Sequence, residues 1–196
     1  MPHPQTTEIS DEYAMPSMGV AIRLLLTLLG VVSSTLDEAI ETNDAAAIRA
    51  ALDQCSNACI DAVGGNGMTA FQTAVLAGKF RAARALHVAG ADVSIGDRDG
   101  YTAMHVAALR GDPRIVEWCI KLGLEKSPMA KDGFTPLHRA CWGGEKRHTD
   151  TVWKFLDAGV LPNEPAADGQ TPLAMAGSEN TRRLLQEAVS ELPRRR

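Results

Sequence analysis

Apolar positions between residues 34 and 190 fall into short helical stripes that glycines interrupt at regular intervals. Ala82, Ala83 and Leu86, then Ile115, Val116 and Cys119, then Val152, Phe155 and Leu156 each share one face of a helix. A shorter stripe precedes each, centred on Ala74, Ala107 and Ala140, with Ala176 marking a fourth. These small side chains let paired helices approach closely. Gly78, Gly111 and Gly144 are placed to stop the first helix of each pair, and Gly90, Gly123 and Gly159 the second. Between pairs, Asn66-Gly67, Asp99-Gly100, Asp132-Gly133 and Asp168-Gly169 supply the positive φ angles of tight hairpins. A threonine two residues after each of these glycines can cap the next helix, with Pro136 and Pro172 in its first turn. The pattern predicts an all-α array of helix pairs joined by hairpins.

The array has a fixed period. Gly67 to Gly100 is 33 residues and Gly100 to Gly133 is again 33, whereas Gly133 to Gly169 is 36, so the third unit carries three extra residues. That unit reads Thr135-Pro136-Leu137-His138-Arg139-Ala140, which resembles the T-P-L-H-x-A signature of the ankyrin-repeat family at every fixed position. The resemblance covers about residues 35 to 188 and implies an ankyrin-repeat solenoid of about four to five repeats, degenerate caps included. On this reading the repeat domain spans 34–190, divided into a capping repeat 34–64, repeats 65–97, 98–130 and 131–166, and a C-terminal repeat 167–190. In the capping repeat, Leu36, Ala39, Ile40, Ala47, Ile48, Ala51 and Leu52 keep the two-helix pattern without the hairpin, and Asn43 stands where later repeats have Gly. At the far end Gly177-Ser178-Glu179-Asn180 leads straight into a last helix. Outside the array lie a flexible polar tail 1–17, an apolar helix 18–33 and a basic tail 191–196.

Composition narrows the function classes. Hydrophobic residues at 45% and charged residues at 22% fit a folded core, and only 5% aromatic content favours close-packed helices over a sandwich or barrel. A formal charge of −4 argues against a nucleic-acid binder, and Arg194-Arg195-Arg196 is too short to reverse that. Cys55, Cys59, Cys119 and Cys141 lack paired CxxC spacing and read as reduced thiols packed as small hydrophobes. That places the chain in the cytoplasm or another reducing intracellular compartment. His138 and Cys141 share one helix but do not make a zinc site, and neither do Cys55 and Cys59. The family resemblance assigns His105 and His138 to hydrogen bonds between neighbouring hairpins. With no phosphate-binding loop and no nucleophile context, the reading is no enzyme, no cofactor, no metal and no small-molecule substrate.

The resemblance further implies a protein partner bound in a concave groove made of hairpin tips and the exposed sides of the first helices. Read position by position, the partner-binding residues are Met68, Leu76, Arg98, Tyr101, Leu109, Arg110, Phe134 and Trp142. Met68 with Leu76, Tyr101 with Leu109, and Phe134 with Trp142 are expected to stack in a solvent-facing row, since contiguous exposed apolar surface marks interaction sites. The competing reading packs the bulky members against adjacent hairpins. Trp153 takes an outward position on a second helix, either covering the insertion near Lys146 to Thr149 or making a convex-side contact.

Gly19 to Val32 is almost wholly apolar, interrupted by Arg23 and Thr27, and is shorter than the roughly 20 residues that span a bilayer. Three readings stand: a helix packed on the cap or buried in a partner, a membrane-docking segment, or a targeting sequence. The leading function is a non-catalytic protein–protein interaction module, a subunit or scaffold of a larger complex. The alternative is a membrane-tethered adaptor or assembly factor anchored through residues 18–33, hence membrane-associated.

Overall fold

A computed structural model describes residues 31–54 and 59–191. The tail 1–17, the apolar segment up to Gly30, Cys55 and the arginines 194–196 lie outside the described residues. Among the described residues nine helices follow one another: α1 (Val31–Thr42), α2 (Ala45–Asp53), α3 (Ala70–Leu76), α4 (Phe80–Val88), α5 (Ala103–Arg110), α6 (Pro113–Lys121), α7 (Pro136–Trp142), α8 (Lys146–Asp157) and α9 (Glu179–Glu191). Each early helix packs on its pair mate, and the pairs stack. Helices α1, α3, α5 and α7 form one row, α2 packs on α4 and α6 on α8 in the other, and α9 closes that second row against α8. The core is the seam between rows, where Ile40, Ile48, Phe71, Leu86, Met104, Ile115, Leu137, Phe155 and Leu185 are all fully buried.

Local sequence sets the helix ends. Thr69, Thr102 and Thr135 cap α3, α5 and α7 in reciprocal boxes with Gln72, His105 and His138. Asp112 caps α6, whose first residue is Pro113. Asn43 has φ 55°, in the left-handed region where Gly78 and Gly111 sit at 70° and 69°. Asparagine is among the few side chains that tolerate it. Its Oδ1 also accepts from the Ala82 amide at 3.0 Å, tying the cap to the first full repeat. Each hairpin tip is closed by two backbone bonds: Gly67, Gly100, Gly133 and Gly169 donate back to Gly64, Asp97, Ala130 and Ala166, which donate in turn to Met68, Tyr101, Phe134 and Gln170.

Two expectations need correcting. Gly144 does not end a helix in the left-handed turn used by Gly78 and Gly111. Helix α7 stops at Trp142 and leaves through Gly143 in extended backbone, φ −75° and ψ 140°. The three extra residues of this repeat lengthen the second helix: α8 has 12 residues where α4 and α6 have 9. Pro172 to Met175 forms turns and not the α-helix expected there. Only Pro172 to Ala176 separate Thr171 from Gly177, about one turn fewer than the Ala70 to Ala77 stretch between Thr69 and Gly78, and so short a segment cannot offset the cost of helix nucleation.

Candidate functional site

Two lines of cross-repeat hydrogen bonds hold the inner row at a fixed pitch. Along the hairpin edge, the third helical residue of each first helix reaches the next hairpin. Gln72 Nε2 donates to Tyr101 O at 2.6 Å, His105 Nε2 to Phe134 O at 3.2 Å, and His138 Nε2 to Gln170 O at 3.2 Å. Each side chain also accepts the amide of its own capping threonine, Oε1 of Gln72 from Thr69 and Nδ1 of His105 and His138 from Thr102 and Thr135. The imidazoles are therefore neutral, protonated on Nε2. Burial lowers both of their pKa values, against a smaller opposing effect of the carbonyls they bond.

The second line runs along the opposite ends of the inner helices, where carbonyls lack helical partners. Each is taken by a group from the next repeat. Lys79 Nζ donates to Glu41 O at 2.7 Å, Arg110 to Leu76 O at 2.6 Å, His148 Nε2 to Leu109 O at 3.2 Å, and the Gly177 amide to Cys141 O at 2.8 Å. Arg110 lies across Gly78, so a Cβ there would overlap the guanidinium. The third repeat has Gly143 at the position corresponding to Arg110 and so lacks that arginine. His148, in the added first turn of α8, supplies the bond instead. Its buried ring fills the space over Gly111 and Gly143: a Cβ on Gly111 would come within 2.6 Å of it, and one on Gly143 would overlap it.

Between these lines lies a residue whose importance the sequence reading missed. Arg139 occupies the variable position of the Thr-Pro-Leu-His-Arg-Ala motif, where the other repeats have Thr73, Val106 and Met175. Its side chain is 8% exposed. The guanidinium is stacked on three aromatic rings, at 4.7 Å from the centroid of Phe134, 5.2 Å from Tyr101 and 5.3 Å from Trp142. It donates to both the Tyr101 hydroxyl and the Asp132 carboxylate, and Tyr101 donates in turn to Asp132. Burial and the bond to Asp132 push Tyr101 up to about 12. Burial opposes ionisation of Asp132, but the bonds from Tyr101 and the Phe134 amide together with the Arg139 charge outweigh it and lower its pKa. An arginine where the sister repeats have small or apolar residues was the available signal.

The expected groove residues divide accordingly. Leu76 and Trp142 end α3 and α7, and Leu109 holds the same register in the last turn of α5, exposed at 40%, 60% and 43% respectively. Tyr101 and Phe134 are half-buried and packed on Arg139, Tyr101 tilted against His105 and Phe134 edge-on to His138, rather than free in a stacked row. Met68 is half-buried at its hairpin, and Arg98 is exposed at a tip, its carbonyl bonded by Lys131 Nζ. Arg110 is half-buried, folded back on Leu76 O. Trp153 lies elsewhere, on the outer side of α8, with Lys154 Nζ 5.1 Å from its ring centroid.

Chemically, the inner face offers fixed apolar side chains and carbonyl-bound cations. Cys119 and Cys141 are buried, and burial raises each thiol to about 12, which keeps both as unreactive packing groups. No group of three His, Cys, Asp or Glu side chains among the described residues could hold a metal ion. No helix among them is long and apolar enough to cross a membrane. No curated protein matches the chain. A family model described as ankyrin repeats in three copies matches residues 36–127 and 74–166, more than half of the sequence. With the stacked helix pairs, the hairpin tethers and the 33-residue register, this shows that the chain belongs to the ankyrin-repeat family.

Proposed function

We propose that the protein holds a protein partner along the ends of the inner helices, as a non-catalytic subunit or scaffold of a larger complex. Ankyrin repeats generally serve as protein–protein interaction modules. The observation that carries the reading is the ladder Leu76, Leu109 and Trp142, three large apolar side chains left exposed at one register of successive repeats. Trp142 is the centre of it: the most exposed of the three, yet braced from behind by a buried cation. A rigid, half-desolvated aromatic loses little entropy on binding and is the type of residue that dominates interface energetics. Tyr101 and Phe134 fix Arg139 and so act as positioning residues, while Arg98 and Lys131 at the tips provide a charged rim. The buried thiols suit a reducing compartment.

Capture from cell extract with the full chain as bait, followed by crosslinking from Lys131, tests the reading. Leu109→Glu with Trp142→Ala is expected to remove the crosslinked partner while leaving the thermal transition within a few degrees. Undiminished capture would place the contact elsewhere.

A further inference from the structure

Two features lie outside the inner face. The first is a groove at the C-terminal end of the array, between α8, the Gly159–Asn163 connection and α9. Trp153, Leu161, Leu184 and Ala188 line it, with Trp153 48% and Leu161 52% exposed. Three exposed carboxylates, Asp157, Glu187 and Glu191, stand on its rim, and among the described residues no salt bridge engages Asp157 or Glu187. A terminal repeat is ordinarily kept soluble by a polar outer face, and this one carries a cleft with exposed Trp153 and Leu161.

The second feature is the segment Gly19 to Gly30, Leu-rich on all sides with a single cation, Arg23. It joins α1 directly at Val31. The part of the cap whose burial is described, residues 35–54, is polar on its outer side. Between residues 35 and 54 no large apolar side chain is exposed, and Glu38, Glu41, Arg49 and Asp53 face solvent. Nor does the segment reach the groove of its own chain as a helix. It would span about 18 Å, while three stacking steps of the outer row, from α2 to α8, cover roughly 30 Å. Stretched out far enough to reach, it would leave its own backbone groups unpaired against an apolar surface.

We propose that the apolar segment 19–30 of one molecule docks as a helix into the α8–α9 groove of a second copy, with Arg23 between Asp157 and Glu187, so that the chain assembles head to tail. An apolar segment with one positive charge meets a cleft with exposed apolar side chains and three negative charges, at opposite ends of the sequence. Such a contact is heterologous, since each copy offers a different surface, so each molecule can engage two others and association grows with concentration. It stands independently of the inner-face reading, because it uses none of those residues.

Sedimentation velocity of the full chain, across the micromolar range, reads this association directly. Leu25→Glu with Leu28→Glu, and separately Trp153→Glu with Leu161→Glu, are each expected to sediment as monomers. Mixed in equal amounts, they are expected to form a one-to-one pair and nothing larger, since one retains the groove and the other the segment. The exposed charges give a second pair of variants that leave the apolar packing untouched. Arg23→Glu is expected to weaken assembly at least tenfold, and Asp157→Lys with Glu187→Lys in the partner molecule to restore it. A monomeric wild type, association unchanged by the groove substitutions, or failure of the mixed variants to pair overturns the proposal. So does full partition of the chain into phosphatidylcholine vesicles in place of self-association, which would make a bilayer the occupant of the segment.

Discussion

The junction between α3 and α5 and the junction between α5 and α7 perform one task with different chemistry. In the first, Arg110 reaches back over Gly78 to Leu76 O. In the second, the equivalent residue is Gly143, and His148 reaches Leu109 O from the turn added to α8. The arginine is flexible and half-buried, and the imidazole is rigid and buried against two glycines. What the difference teaches is that the three-residue insertion is not a loop tolerated at the surface. It restores a tether that Gly143 removes, and it lets α7 end in extended backbone with Trp142 turned outward. In an array where each repeat contacts only its neighbours, a lost tether is not compensated at a distance.

Substitutions at the two junctions separate them. Gly143→Ala adds no backbone strain, since Gly143 has an ordinary negative φ. Its expected cost of about 2–3 kcal/mol comes from displacing a packed ring. His148→Ala is expected to cost about 2 kcal/mol through a lost bond and a cavity. The double variant should cost clearly less than the sum, because the clash disappears with the ring; additive losses in urea titrations would sink the account of the insertion. At the other junction Gly78→Ala should cost about 1–2 kcal/mol, from its left-handed backbone, because the Arg110 terminus can swing aside.

Arg139 sharpens the comparison from the groove side. Arg139→Ala is expected to cost about 2–4 kcal/mol by leaving Asp132 and Tyr101 without their partner and a gap beneath three rings. Arg139→Met copies Met175 of the last repeat and is expected to hold stability within about 1 kcal/mol, because apolar replacement of a buried charge is often neutral. If Trp142 needs its brace, the methionine variant will still lose partner capture. Equal capture by both proteins would make Arg139 purely structural.

The hairpin tethers give a smaller, pH-dependent effect. Because His105 and His138 titrate below 6.5 in the folded chain, the unfolded chain binds more protons as the pH falls below that value. Their contribution is complete above about pH 6.5 and is lost toward the lower folded pKa values. Thermal melts from pH 7.5 to 5 should therefore show a declining midpoint. His105→Gln, which copies the two bonds of Gln72, should make that decline shallower at a cost within about 1 kcal/mol. An unchanged slope would mean that His105 is not titrating as described.

Much of this was legible in the sequence because repetition exposes it. The spacing of Gly67, Gly100 and Gly133 and the motif at Thr135 to Ala140 carried the fold, and Asn43 marked the helix end of the cap. The same repetition misled at Gly144: one more glycine at the expected interval looked like one more left-handed turn, although the residue before it, Gly143, stands where the previous repeat has Arg110. The site was only partly readable. Leu76, Leu109 and Trp142 follow from helix register, but the folding of Tyr101 and Phe134 onto Arg139 depends on contacts 38 and 5 residues apart that no local pattern encodes. The last inner helix failed because its shortfall of one turn is a matter of cooperativity, which residue preferences alone do not express.

The most direct test of the central claim is a matched capture experiment on wild type, Leu109→Glu with Trp142→Ala, and Trp153→Glu with Leu161→Glu, quantified by crosslinks from Lys131. The account predicts that the first pair of substitutions removes the Lys131 crosslink to the partner, and that the second leaves it intact. Loss of the crosslink only in the second pair would contradict it, moving the partner from the inner-helix ladder to the C-terminal groove.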